Sequence, residues 1–169
     1  LSWLGIDKDT YSRSDDKGSY KWRYDVPNVG FKYHGNSIMA SIGLIQLKYL
    51  DEDNDFRNKI TRWYDELLNK KDWCETIPIS WHTFKSSKHL YQILVDENKR
   101  DEIINHLYKN EIYPGVHYVD NTLYPMYSSY NGTCPNAHKY SKQLITLPIH
   151  LEITKKDCIK VIETIEEIL

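Results

Sequence analysis

The spacing of apolar residues changes several times along the chain. From Ser37 to about Leu50 it is helical and unusually dense. Ile38, Ile42, Ile45 and Tyr49 mark one stripe, while Met39, Ala40, Leu44 and Leu47 make much of the rest apolar. Asn36 or Ser37 is placed to cap this helix. A helix greasy on most sides belongs between layers, so burial by a large domain or a second subunit is expected. Left uncovered, it should drive self-association. After Asp51 the pattern predicts a second helix, from about Asp53 to Asn69, with Phe56, Ile60, Trp63 and Leu67 facing inward and charges opposite.

Further on the period shortens. Ile77–Phe84 and Ser87–Val95 are β-like, and His89 to Val95 is the better strand. Asn98 is expected to cap a helix to about Asn110 that buries Ile103, Ile104 and Leu107. Ile112 to Val119 looks extended, and Pro125 and Gly132 punctuate a long Tyr-rich loop. Pro135 fits the first position of another helix, which should end before the short extended piece Leu147-Pro148-Ile149. Thr154 with Asp157 resembles a capping box for a last helix with Ile159, Ile162 and Ile165 inside. Residues 1–28 are polar and without period, and are read as loop. The order from about residue 75 is β-β-α-β-(loop or helix)-β-α, an α/β arrangement in which helices cover a small sheet.

Composition narrows the function classes. A net charge of -2 and a pI near 6.4 give no electrostatic reason to expect nucleic acid or an anionic membrane as partner. No apolar stretch reaches the roughly 18 residues of a spanning helix. The polar residues soon after Leu1-Ser2-Trp3-Leu4-Gly5 argue against a secretory signal. Cys74, Cys134 and Cys158 are odd in number and far apart, so neither a disulfide framework nor a zinc site is expected, and a reduced, cytoplasmic setting follows. The 14 Tyr and five Trp, many of them in loop-like segments, are expected to pack beneath those loops. There is no Gly-rich phosphate loop, no GxSxG and no HExxH, and seven scattered histidines suggest no chemistry by themselves.

Three longer segments do. Gly30-Phe31-Lys32-Tyr33-His34-Gly35-Asn36-Ser37-Ile38-Met39-Ala40-Ser41-Ile42-Gly43-Leu44-Ile45-Gln46-Leu47 resembles the G-Y-N-Y-R-M-x-x-x-Q-A-A-x-G-x-x-Q-L signature of the DegT/DnrJ/StrS family. Gly115-Val116-His117-Tyr118 followed by Pro125-Met126-Tyr127 is similar to its G-V-H-Y…P-x-Y segment. Leu147-Pro148-Ile149-His150 with Thr154 is similar to its terminal L-P-x-H-x-x-x-T element, and Ser86 to Tyr91 sits where the family has S-x-x-H-L-Y. Order and spacing agree across nearly the whole chain.

The resemblance implies a fold-type-I enzyme dependent on pyridoxal 5'-phosphate. Such enzymes move an amino group, drawn from glutamate in this reading, onto a nucleotide-linked keto sugar. Residues 1–50 would be the end of a large domain with an interface loop and buried helix, and residues 51–169 a small C-terminal α/β domain. The family's cofactor-bonding lysine lies upstream of the tract where this sequence starts, and no Lys here has its S-x-x-x-x-K context. No catalytic residue is therefore assigned, and the chain alone is expected to be inactive. Lys32 stands at the family's Asn, which meets the partner's cofactor phosphate. His34 stands at its Arg, near the substrate phosphates. Both departures weaken the transfer of role, and Lys32 reads equally as a solvated loop lysine. His117 and Tyr118 fall where the family places side chains near the sugar nucleotide, though a packed loop histidine fits as well. His150 is expected to be structural. The implied partners are a nucleotide-linked keto sugar, an amino donor, and a second copy or a lysine-bearing N-terminal half. Two rivals remain open, a non-catalytic dimerising or nucleotide-sugar-binding module and half of a split enzyme that pairs with a separately encoded N-terminal half, and within the same cofactor chemistry the reaction could be dehydration instead of amination.

Overall fold

Asn36 opens the first helix, its side-chain oxygen accepting from the Met39 N–H at 2.9 Å. This computed structural model describes residues 25–30, 36–77 and 86–169. Helix α1 runs Ser37–Gln46, and a 3-10 turn, Leu47–Tyr49, leads directly into α2, Leu50–Leu68. Every apolar residue of α1 remains exposed, with Ile38 at 73% and Leu44 at 67%. Within the described chain, nothing supplies the cover its sequence calls for.

Helix α2 starts with Asp51, Glu52 and Asp53, negative charges at the positive end of the helix dipole. Its buried face is Ile60, Thr61, Tyr64 and Leu68. This corrects the expected stripe: Ile60 is shared, whereas Phe56, Trp63 and Leu67 are only half-buried. Phe56 and Trp63 instead meet edge-on at 6.2 Å beside the core.

The sheet has three antiparallel strands in the order β1-β2-β3. Strand β1, Cys74–Thr76, precedes the run expected from Ile77, most of which lies outside the described residues. Strand β2, Tyr91–Val95, is central, with Thr76 opposite Ile93 on one side and Ile145 opposite Ile93 on the other. Helix α3, Arg100–Lys109, buries Ile103, Ile104 and Leu107 as its period predicts. Asn98 is not its cap. The Asp96 carboxylate accepts from the Asn98 N–H and makes the turn before the helix. The expected strand at 112–119 reduces to one bridge, Gly115 with Thr146.

Helix α4, Pro135–Gln143, starts on its proline as expected and feeds β3, Leu144–Leu147. The extended piece thus lies just ahead of Pro148, because proline has no N–H for the ladder. All four residues of β3 are buried, so both faces of that strand are covered. Thr154 and Asp157 form the expected capping box for α5, Lys155–Glu166. Ile162 and Ile165 are buried there with Cys158, Val161 and Thr164, and Ile159 is half-buried.

The chain separates into two compact units, residues 36–115 with 143–169 and residues 1–35 with 116–142. The first contains the sheet, α1, α2, α3 and α5. Its fully buried side chains include Ile60, Tyr64, Ile93, Leu107, Ile145 and Ile165. At about 1.5–3 kcal/mol per buried large side chain, this cluster is the main stabilising term of that unit.

Candidate functional site

His117 and Tyr118 lie near the start of the 116–142 segment of the second unit, just after buried Val116. A cis peptide joins them. Their rings meet edge-to-face, centroids 5.0 Å apart at 86°. His117 is half-buried, while Tyr118 is 65% exposed and presents its ring to solvent. An exposed aromatic beside an imidazole supplies a stacking surface and hydrogen-bonding atoms together.

Two residues on, Asp120 is only 4% exposed. Its Oδ1 accepts from the Thr122 N–H at 2.9 Å and from the Thr122 hydroxyl at 2.8 Å. Its other oxygen, Oδ2, lies 3.4 Å from His138 Nδ1 on α4. Burial by itself would raise the carboxyl's pKa. The two Thr122 hydrogen bonds and the His138 imidazole beside it outweigh this and hold the group below the usual carboxylate range. Asp120 is therefore an ionised, buried acceptor. The 3-10 turns Asn121–Leu123 and Pro125–Tyr130 follow, and they account for the Tyr-rich stretch read as loop. Tyr127, Tyr130 and Tyr140 stand 40%, 60% and 46% exposed. Tyr113, Tyr118, Tyr127 and Tyr130 are exposed and Tyr124 is half-buried, so the described rings of the 113–130 stretch depart from the expected packing.

Of the residues singled out from sequence, Lys32 and His34 lie outside the described residues. His117 and Tyr118 are brought into ring contact. His150 is exposed and accepts from the Glu152 N–H at 3.3 Å through Nδ1, a turn-stabilising contact. Asp120 and His138 were not recognised from sequence. An Asp two residues before Thr is a readable turn signal, but a partner eighteen positions away leaves no local trace.

A cleft in the first unit is lined by Asp51, Asn54, Asp55, Ser86 and Ser87. Two carboxylates there oppose a phosphate, and among its described lining residues there is no lysine or arginine, so these residues do not fit pyridoxal phosphate. Among the described residues no cluster of His, Cys, Asp and Glu is arranged to hold a metal ion. No helix among them is long and apolar enough to cross a membrane.

A model of the DegT/DnrJ/EryC1/StrS aminotransferase family matches residues 7–166. The chain is 31% identical to the spore coat polysaccharide biosynthesis protein SpsC of Bacillus subtilis, covering 100% of this chain and 45% of that protein. It is also 31% identical to the UDP-4-amino-4,6-dideoxy-N-acetyl-beta-L-altrosamine transaminase of Campylobacter jejuni, over 88% of this chain and 40% of that one. Among solved structures it resembles the PLP form of the putative sugar aminotransferase Spr1654 from Streptococcus pneumoniae. That match has 27% identity and a TM-score of 0.73, covering 100% of this chain and 42% of the other. The chain thus spans less than half the length of each of these relatives.

Proposed function

The chain belongs to the DegT/DnrJ/EryC1/StrS aminotransferase family, and from that premise we propose that it supplies the small-domain portion of a sugar aminotransferase dependent on pyridoxal phosphate. The reaction in this reading moves an amino group from glutamate to a nucleotide-linked keto sugar in the cytoplasm. Residues 1–50 are the end of the large domain and residues 51–169 the small one. His117 and Tyr118 contact the nucleotide sugar, His34 the substrate phosphates, and Lys32 the cofactor phosphate across a subunit interface. The observation that carries the reading is the pairing of a match over residues 7–166 with coverage of only 40–45% of the relatives. Schiff-base chemistry needs an amine that holds the cofactor. In this reading the amine and most of the cofactor pocket belong to another polypeptide segment. Activity then requires a homodimer of longer chains or pairing with a lysine-bearing half.

The test is to incubate the 169-residue chain with pyridoxal phosphate and borohydride and map any adduct by mass spectrometry. No stoichiometric lysine adduct is expected. Amino-group transfer should appear only when a lysine-bearing partner segment is added. A reducible one-to-one adduct on Lys88, the buried lysine among the described residues, would overturn the reading. Binding of a nucleotide sugar with no activity under any pairing would favour a binding module.

A further inference from the structure

Asp120 is costlier than its turn requires. A side-chain oxygen accepting from a backbone N–H two residues on is the work of any Asp, Asn or Ser at a turn, and such residues ordinarily sit in solvent. Here the carboxylate is 4% exposed. An ionised group in that position loses hydration and must recover it from its partners. Oδ1 is fully engaged by the two bonds from Thr122. That leaves Oδ2, and the charge itself, for His138 Nδ1 at 3.4 Å. The neutral Asn or Ser that would make the same turn would not provide an anionic acceptor at that second point.

The geometry on the histidine side is consistent. Helix α4 fixes the backbone at position 138: the His138 N–H donates to the Cys134 carbonyl at 3.0 Å, and its carbonyl accepts from the Ser141 hydroxyl at 3.0 Å. At 3.4 Å the pair is a charge contact, and an Nδ1 that carries its hydrogen, in the neutral or the charged ring, is the state that faces a carboxylate favourably. The imidazole is thus held at its inner nitrogen, with the side chain 41% exposed. The chain segment carrying His117 and Tyr118 is covalently two residues from one end of this pair, and α4 carries the other end.

We propose that Asp120 is a positioning residue: accepting from Thr122 and pairing with the His138 imidazole, it braces the His117–Tyr118 segment against α4. The proposal rests on the reading of His117 and Tyr118 as nucleotide-sugar contacts, because that reading gives the brace its purpose. A loop carrying an exposed ring loses conformational freedom when a ligand orders it, and pre-fixing the segment removes part of that cost before binding.

The test separates brace from turn. Asp120→Asn keeps an oxygen for the Thr122 bonds but places an amide against His138. His138→Ala removes the far end. His138→Asn keeps a donor close to the place of Nδ1. Two readouts are needed on the whole chain: NMR signals of the His117 and Tyr118 rings with the protonation of the His138 nitrogens, and dissociation constants for UDP, dTDP and GDP. Expected are a hydrogen on His138 Nδ1 in the unaltered protein and displaced, broadened His117 and Tyr118 signals in Asp120→Asn and His138→Ala. Binding of the preferred diphosphate should weaken about tenfold in both, with His138→Asn restoring most of it. Amide signals of β2 and β3 serve as the folding control. Unmoved His117 and Tyr118 signals in both variants, with those strands intact, overturn the brace. If the unaltered protein binds none of the three diphosphates, the nucleotide reading of the site fails instead, and the ring signals still decide the brace.

Discussion

The Tyr91 hydroxyl donates a 2.7 Å hydrogen bond to Asp65 Oδ1, tying the central strand to α2. The ring beneath it is 1% exposed and lies 4.9 Å from the Tyr64 ring, whose own hydroxyl donates to the Pro148 carbonyl at 3.0 Å. Burial, and then the bond to the Asp65 carboxylate, push the Tyr91 phenol above its ordinary pKa, so it stays a donor throughout the working pH range. Removing the oxygen alone, Tyr91→Phe, leaves Asp65 free to rehydrate and should cost about 1 kcal/mol. Tyr91→Ala should cost about 3–5 kcal/mol through the cavity. Urea unfolding of the two variants measures both, and equal losses would contradict the division between ring and hydroxyl.

Helix α3 ends on a strained residue. Glu111 has φ +60°, the Ile112 N–H donates to the Leu107 carbonyl at 2.9 Å and the Glu111 N–H to the Tyr108 carbonyl at 3.1 Å. That is a Schellman ending with glutamate where glycine is usual. Glu111→Gly relieves the Cβ clash and should stabilise the chain by up to about 1 kcal/mol. Glu111→Val should destabilise it, since a β-branched residue tolerates positive φ least. Thermal melts that rank Val above Gly would show that the helix end does not depend on this geometry.

Acid should loosen both units. Asp120, Asp157 and Glu166 all have carboxyls held below their ordinary values. Glu166 owes this first to Lys71 and also to Trp73, and Asp157 to the Thr154 hydroxyl and N–H of the capping box. A depressed folded-state pKa gives stability that is present above the unfolded value, near pH 4, and is lost as pH falls through the lower folded value. Denaturant midpoints should therefore fall between about pH 5 and pH 2. Thr154→Ala should flatten part of that dependence. A midpoint independent of pH in this window would refute the assignment.

The three thiols should separate by reactivity. Burial raises the Cys74 and Cys158 thiols to about 11, and Cys158 is fully buried on α5. Cys134, just before α4, is exposed. Because the thiolate is the nucleophile, iodoacetamide at pH 8 should modify Cys134 first and Cys158 only on unfolding. Peptide mapping over time checks the order, and early modification of Cys158 would count against the buried placement.

Self-association should run through α1. Exposed Ile38, Met39, Ile42, Leu44 and Ile45 lie on ten residues of helix, an apolar surface of a kind that single soluble chains rarely leave open. Light scattering at micromolar concentration should report a species larger than the monomer. Ile42→Lys should shift it towards monomer without changing the unfolding of the β2–β3 unit. A clean monomer before substitution would remove the argument.

Local signals in the sequence set much of the outcome. Asn36 before a dense apolar run, Pro135 at a helix start, and Thr154 three residues before Asp157 each act within one turn, and each gave the element observed. The helical spacing of Ile103, Ile104 and Leu107 fixed a buried face for the same reason. The family was legible because order and spacing of several segments survive where single residues change.

What only the tertiary structure decided depended on partners distant in sequence. The buried face of α2 turned towards Ile60, Tyr64 and Leu68 because α5 and the sheet lie on that side, which helical period alone does not specify. The extended run from Ile112 became a single bridge because only Gly115 meets Thr146. Asp120 gained its second partner only when α4 brought His138 within reach, eighteen residues away. Backbone propensity and capping act over a few residues and can be read directly. Burial and charge pairing are set by which surfaces meet, and that is a property of the fold.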